Sequence, residues 1–298
     1  MHKQAMKLRG IIGYLLTPLA EDNSVDGELL ALHVERLIDA GVHGIAPLGS
    51  VGCLPYLSDE ERHTVIARTV EACAGRVPVL AGVSSLGTEA TVRYARAAEA
   101  AGVSAIQVLP STYWKLTEEE IFTYFRSVAE AVSIPVMAYN NPFTTGIDLT
   151  VDFLHRLTSL PNISLIKEAS PDPTKIAKLR NACADHVQIF VGLNSMAQQG
   201  FRDGAVGWCT AAPNICAPWI LNFYHSIIEN NDAEAARWFN QVRNLLGFLM
   251  DFGLPRTVAA GLELSGVSSG KLRPPLMPLH PDHRKKLESI LKTMEIVK

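Results

Sequence analysis

From about residue 10 to residue 230, short apolar runs of strand length alternate with longer stretches in which apolar residues recur every three or four positions. The first pattern belongs to buried strands and the second to amphipathic helices, so their alternation predicts repeated βα units. Eight strands are expected, near 11–16, 44–48, 77–83, 105–109, 134–139, 163–168, 187–191 and 205–209, each followed by a helix. Two helix starts are chemically explicit: Ser58 with Glu61, and Thr117 with Glu120, fit the capping box, in which a hydroxyl and a carboxylate bond amides that the first helical turn leaves open. The plan also repeats. DAGVHGIAPLG (39–49) resembles AAGVSAIQVLP (100–110), and RVPVLAG (76–82) resembles SIPVMAY (133–139), each pair about two βα units apart.

Eight such units, with no GxGxxG after the first strand, predict a (β/α)8 TIM barrel rather than an open doubly wound sheet. Two more amphipathic stretches, 232–253 and 280–296, predict helices beyond the barrel. The expected organisation is a catalytic barrel over 1–230 with a helical extension over 231–298 packed on it as part of the same domain.

Composition narrows the partners. A net charge of −3 exerts no global pull on nucleic acid or an anionic membrane, which leaves a small molecule as the expected ligand. The longest apolar runs are strand-sized and MHKQAMKLRG lacks the apolar core of a leader, so the expected location is the cytoplasm. Five cysteines (Cys53, Cys73, Cys183, Cys209, Cys216) show no CxxC spacing and nine histidines no HExxH, so neither a metal nor another cofactor is expected.

In a barrel of this kind, chemistry belongs at the carboxyl ends of the strands. Lys167, in SLIKEASPDP at the end of strand six, shares a strand face with Ile163 and Leu165. A lysine in an apolar barrel mouth is pushed toward its neutral form, and a neutral amine attacks carbonyls to form Schiff bases. The simpler alternative turns Lys167 outward, paired with Glu168 or Asp172. Tyr139, ending strand five, shifts the balance, because neighbouring strands lie about 4.8 Å apart and a phenol beside the amine can relay protons. After strand two, GSVG (49–52) permits a tight turn whose amides can hold a carboxylate. Strand two lies across an eight-stranded barrel from strand six, so a short keto acid could span the mouth.

With PLGSVGCLPYLSDEE, YNNPFTTG and IKEAS in place, nearly the whole chain resembles the dihydrodipicolinate synthase and N-acetylneuraminate lyase family of Schiff-base lyases. The resemblance implies that Lys167 forms an imine with pyruvate or another 2-keto acid and that Tyr139 transfers protons. It implies that Ser50, with the amides of Ser50 and Val51, binds the keto-acid carboxylate. It also implies a homo-oligomer, a tetramer or a dimer, in which Tyr113 enters a neighbour's site to complete a hydroxyl relay. Thr112 is the alternative for that role, and an aromatic subunit contact is the alternative for Tyr113 and Trp114.

The departures concern the substrate. Synthases of the family usually carry an arginine at the position of Thr144, and a hydroxyl cannot replace a bidentate guanidinium. The second hydroxyl of the family's GTTG-like loop is Val51 here, and the acidic residue after it is Cys53. Sialic acid lyases place acidic residues after strand seven, where this chain has Asn194 and Ser195. Thr144, Asn194 and Cys209, at the ends of strands five, seven and eight, are the remaining candidates for contact with substrate. The expected activity is that of a lyase, aldolase or dehydratase of a small 2-keto acid. The alternatives are a true 4-hydroxy-tetrahydrodipicolinate synthase, a 2-keto-3-deoxy sugar acid dehydratase, a hydroxy-pyrroline-carboxylate deaminase, and a barrel that binds a keto acid without turning it over.

Overall fold

The computed structural model describes residues 8–298; the first seven residues, most of the stretch read above as lacking a leader core, lie outside the described residues. The chain opens with β1 (Gly10–Tyr14), α1 (Gly27–Ala40), β2 (Gly44–Ala46), α2 (Asp59–Cys73), β3 (Leu80–Gly82), α3 (Thr88–Ala100), β4 (Ala105–Val108) and α4 (Glu118–Ala129). It continues with β5 (Val136–Asn140), α5 (Pro142–Thr145), α6 (Val151–Leu157), β6 (Ile163–Glu168), α7 (Lys175–Ala182), β7 (Gln188–Val191), α8 (Ala197–Arg202) and β8 (Gly207–Thr210). Four helices follow: α9 (Pro213–Ile228), α10 (Asp232–Asp251), α11 (Leu254–Leu264) and α12 (Pro281–Thr293). Eight strands alternating with helices make this a (β/α)8 TIM barrel, as the hydrophobic pattern requires.

Every expected strand is present, and several are shorter than their apolar runs. Pro78 and Pro135 carry no amide hydrogen, so the third and fifth strands begin only after them, at Leu80 and Val136. Both capping boxes form. The Ser58 amide donates to Glu61 at 2.8 Å and the Thr117 amide to Glu120 at 2.7 Å, while each hydroxyl accepts from the amide three residues on.

The chain forms two compact units. One contains Leu80–Cys209 together with the N-terminal residues up to Gly10. In it β3, β4, β5, β6, β7 and β8 pair in sequence order, each parallel to the next. Strand residues Ile106, Val136, Met137, Leu165, Ile166 and Phe190 are buried, as are Phe125 and Val128 of α4. The other unit contains Ile11–Val79 and Thr210–Lys298, so the C-terminal helices group with β1, α1, β2 and α2. There β1 pairs parallel with β2. The expected helix over 232–253 is α10, whose buried Ala235, Phe239, Val242, Leu246 and Leu249 follow helical spacing. α11 was not expected as a separate helix. Gly253, at φ 87°, breaks the chain after α10, and Pro255 suits the first turn of the next helix.

Candidate active site

The β5–β6 ladder sets the centre of the site. Its register pairs Tyr139 with Lys167 and Asn140 with Glu168, so one pair of side chains takes each face. Lys167 and Tyr139 are 3% and 4% exposed, and the lysine Nζ stands 3.8 Å from the centroid of the tyrosine ring. The ring face attracts an ammonium. Around the ring, Ala169 and Leu193 complete a buried apolar cluster, with Leu109 and Met196 against it. The ends of β4, β5, β6 and β7 thus converge on the lysine and the phenol.

Gly192, just after β7, gives the lysine stem its room. A Cβ there would come within 2.9 Å of Lys167 Cε and 2.8 Å of Ala169 Cβ, and the Gly192 amide donates to the Glu168 carbonyl at 2.6 Å. The sequence offered only a glycine in VGLN, indistinguishable from a turn residue. Asn141 also went unremarked. Its side-chain nitrogen donates to the Tyr139 hydroxyl oxygen at 2.7 Å and to Thr144 Oγ1 at 2.9 Å. Asparagine beside asparagine before a proline reads as turn chemistry, and only the side-chain geometry shows that this amide reaches back two residues to the phenol.

The other face of the same two strands is built differently. Glu168 accepts from the Asn140 amide at 2.9 Å and from the Ser170 backbone, and it lies 3.8 Å from Lys175 Nζ on α7. Lys175 also bonds Asp148, and Asn140 Oδ1 accepts from the Leu149 amide at 2.9 Å. Burial pushes the Glu168 carboxyl above its ordinary range, and Lys175 with the hydrogen bonds opposes that shift. Asp172 is engaged in its own turn, accepting from Thr174 and facing Lys178 at 3.6 Å. The outward reading of Lys167 is therefore corrected. Glu168 and Asp172 have these partners, while Lys167 is buried against Tyr139.

The remaining candidates take varied positions. Thr144 is exposed on α5 and joined to Tyr139 through Asn141. Asn194 is buried at the start of the short turn Asn194–Met196, and Cys209 is buried in β8. Tyr113 is 84% exposed, edge-on to Trp114, and the Thr112 hydroxyl donates to the Trp114 carbonyl. Ser50 and Val51 belong to the other unit, in a turn closed by the Gly52 amide on the Gly49 carbonyl at 3.0 Å. Ser50 is exposed there and the Val51 side chain buried. Leu48 and Cys53 flank the turn at φ 57° and 55°, conformations that cost energy for residues with a Cβ and mark a segment held in an imposed shape. Burial pushes the Cys53 thiol to about 11, so it stays protonated. Among the described residues no three histidine, cysteine or carboxylate side chains group as a metal site, and no helix is long and apolar enough to cross a membrane.

Comparison with known proteins agrees with this geometry. The family model for the dihydrodipicolinate synthetase family matches residues 7–294. A 4-hydroxy-tetrahydrodipicolinate synthase of Koribacter versatilis is 33% identical over 297 residues, 98% of each chain. An uncharacterized DapA-like lyase of Rhizobium meliloti is 30% identical over 290 residues, 97% of this chain and 96% of that one. A crystal structure from Pseudomonas aeruginosa, provisionally named a dihydrodipicolinate synthetase, superposes with a TM-score of 0.94 at 41% identity, covering 97% of this chain and all (100%) of that one. A prophage protein of the dihydrodipicolinic acid synthase family from E. coli K12, solved with pyruvate, gives a TM-score of 0.92 at 27% identity over 98% of this chain and 100% of that one. The lysine, the tyrosine and the fold that registers them have one common setting: the chain is a lyase belonging to the dihydrodipicolinate synthetase family.

Proposed function

We propose that the protein is a Schiff-base lyase, aldolase or dehydratase that holds pyruvate or a small 2-keto acid as an imine on Lys167. The observation that carries this reading is the buried Lys167 amine 3.8 Å over the Tyr139 ring. Attack of the neutral amine on the keto carbon gives a carbinolamine. Protonation of its hydroxyl expels water and leaves an iminium. The iminium then accepts the electrons of a breaking bond at the adjacent carbon, so a proton or an aldehyde can leave or join there, and the resulting enamine can expel a hydroxyl, protonated as water, from the next carbon along. Tyr139 moves the protons.

Ser50, with the amides of Ser50 and Val51, receives the keto-acid carboxylate in this reading. Tyr113 serves a neighbouring subunit of a homotetramer or dimer, and the enzyme works in the cytoplasm without a cofactor. Asn194 and Cys209 are the further candidates for contact with the second substrate. Thr144, exposed and neutral where the family's synthases carry an arginine, favours a second substrate without an extra carboxylate. Dehydration of a 2-keto-3-deoxy sugar acid, or deamination of a hydroxy-pyrroline carboxylate, is then preferred over condensation with aspartate semialdehyde. Borohydride added with pyruvate should leave a reduced adduct on Lys167 by mass spectrometry. Absence of an adduct with each of several 2-keto acids would overturn the proposal. Loss of the starting compound across a panel of sugar acids, hydroxylated pyrrolines and aspartate semialdehyde with pyruvate ranks the substrates, with pyruvate release or consumption marking cleavage or condensation and ammonia release marking deamination.

A further inference from the structure

We propose that Asn141 is a positioning residue for proton transfer: its side-chain amide holds the Tyr139 oxygen from one side and so directs the Tyr139 proton toward the lysine-bound intermediate. This rests on the reading of Lys167 and Tyr139 above. A phenol has one proton to give and lone pairs to receive. An amide nitrogen can only donate, so the 2.7 Å bond from Asn141 to Tyr139 occupies a lone pair and turns the O–H bond elsewhere. The second hydrogen of the same amide goes to Thr144 Oγ1 at 2.9 Å, and two acceptors in different directions fix the amide plane.

The backbone of Asn141 is fixed as well. Its carbonyl accepts from the amides of Thr144 and Thr145, each at 3.1 Å, and Pro142 follows as the first residue of α5. Asn141 is 9% exposed and its bond to Tyr139 is buried, so water does not readily replace that bond.

The arrangement supports both halves of a proton cycle. In the first, the Tyr139 O–H bond breaks and its proton joins the carbinolamine hydroxyl. The carbon–oxygen bond breaks, water leaves, the nitrogen lone pair forms the C=N bond, and a phenolate remains. In the second, that phenolate takes a proton from the carbon beside the iminium, whose C–H electrons form the enamine, and the phenol is restored. The Asn141 N–H stays bonded to the oxygen throughout and is strongest when the oxygen is negative. A positioned donor of this kind stabilises the charge that develops on transfer.

Exchange of the pyruvate methyl hydrogens in deuterium oxide, followed by NMR, reads this cycle in the full-length enzyme without a second substrate. Borohydride trapping reports imine formation beside it. For Asn141→Leu the adduct on Lys167 should persist, while exchange slows about tenfold or more, the worth of one hydrogen bond realised in the transfer step. Asn141→Asp keeps the shape but can only accept when ionised, so it should take the phenol O–H as a hydrogen-bond donor, turning it away from the intermediate, and exchange at least as slowly. In a Tyr139→Phe background, Asn141→Leu should have no further effect. Exchange within about twofold of the parent for Asn141→Leu or Asn141→Asp, at the resolution of a single hydrogen bond, would overturn the proposal. So would an undiminished effect of Asn141→Leu in the Phe background. Failure of the parent enzyme itself to form an adduct would instead remove the imine reading, and this inference with it.

Discussion

Two faces of one pair of strands carry opposite solutions to burying charge. Where β5 meets β6, Asn140 and Glu168 lie in register on one face, and Lys175 of α7, itself bonded to Asp148, sits 3.8 Å from the Glu168 carboxylate. One residue back along each strand, Tyr139 and Lys167 are also in register, but there the amine stands over a phenol ring in an apolar cluster. The carboxylate nearest to Lys167 in sequence is directed to the opposite face and has its own lysine. A carboxylate and an aromatic face both attract an ammonium, the carboxylate more strongly. The alternation of the strand puts Glu168 on one face and Lys167, the lysine proposed to react, on the other.

The sharpest way to break this comparison is to exchange the lysine proposed to react for a cation that cannot. Lys167→Arg keeps the charge over the ring, but guanidinium is no nucleophile near neutrality, so the borohydride-trapped adduct should disappear altogether. An adduct that survived on another lysine, Lys175 included, would reverse the assignment of the two faces. Next in size is Tyr139→Phe. The ring and its packing remain and the imine should still form, while turnover falls about 10²- to 10⁴-fold, the usual worth of a positioned proton-transfer group. Trapping measured beside steady-state rates separates the two effects, and unchanged turnover would remove Tyr139 from the proton path.

The network face is tested through stability. Lys175→Met leaves the buried Glu168 carboxylate without its ammonium, and breaking such a pair from one side costs about 3–5 kcal/mol in denaturant unfolding. The pH dependence follows from the direction of the Glu168 shift, upward from the ordinary 4.5 through burial and further upward without Lys175. A carboxyl with a raised folded pKa holds its proton more tightly in the native state. Its contribution to stability is therefore greatest below about pH 4.5 and declines as pH climbs through the raised value. The deficit of Lys175→Met should be smallest in acid and largest above neutrality. Adding Glu168→Gln should restore part of the loss at pH 7, whereas a deficit that is flat with pH would show that Glu168 is not the group left stranded.

What the sequence disclosed follows the same division. The strands, both capping boxes and the placement of Lys167 beside Tyr139 were legible because period-two and period-3.6 patterns and Ser/Thr-x-x-Glu spacing are local. Asn141, Gly192 and the Glu168–Lys175 pair were not. Gly192 and the Glu168–Lys175 pair act through neighbours supplied by strand register or by a helix seven residues on, which no local pattern encodes, while Asn141 bonds residues two and three positions away but only because its side chain turns that way where β5 gives way to α5. Glu168 even misled, since adjacency in IKEAS suggested a partner for Lys167 that the pleat sends the other way. The length of β3 and the break before α11 depended on Pro78 and on Gly253 at φ 87°, single residues that end elements the hydrophobic pattern would have continued.

The smallest expected effect lies in the boundary between the faces, at Gly192. Its amide bonds the Glu168 carbonyl, while the space where its side chain would be is taken by the Lys167 stem and Ala169. No positive φ protects this position, so Gly192→Ala is a test of space alone. The new methyl would start 2.8 Å from Ala169 Cβ and 2.9 Å from Lys167 Cε, with the Glu168 carbonyl at 3.0 Å. Of these three, only the lysine stem is free to rotate, while Ala169 Cβ and the Glu168 carbonyl move only with the backbone, so relief should come by moving the amine off the Tyr139 ring together with a small shift of the chain at 168–169. An overpacked contact of this kind costs about 1–3 kcal/mol. The expected signature is a modest fall in unfolding free energy, slower trapping at Lys167, and a Glu168–Lys175 pair whose contribution, measured by a double-mutant cycle, is unchanged. Were the cycle to lose that contribution while trapping kept its rate, the strand would have yielded instead of the side chain, and the two faces would not be independent.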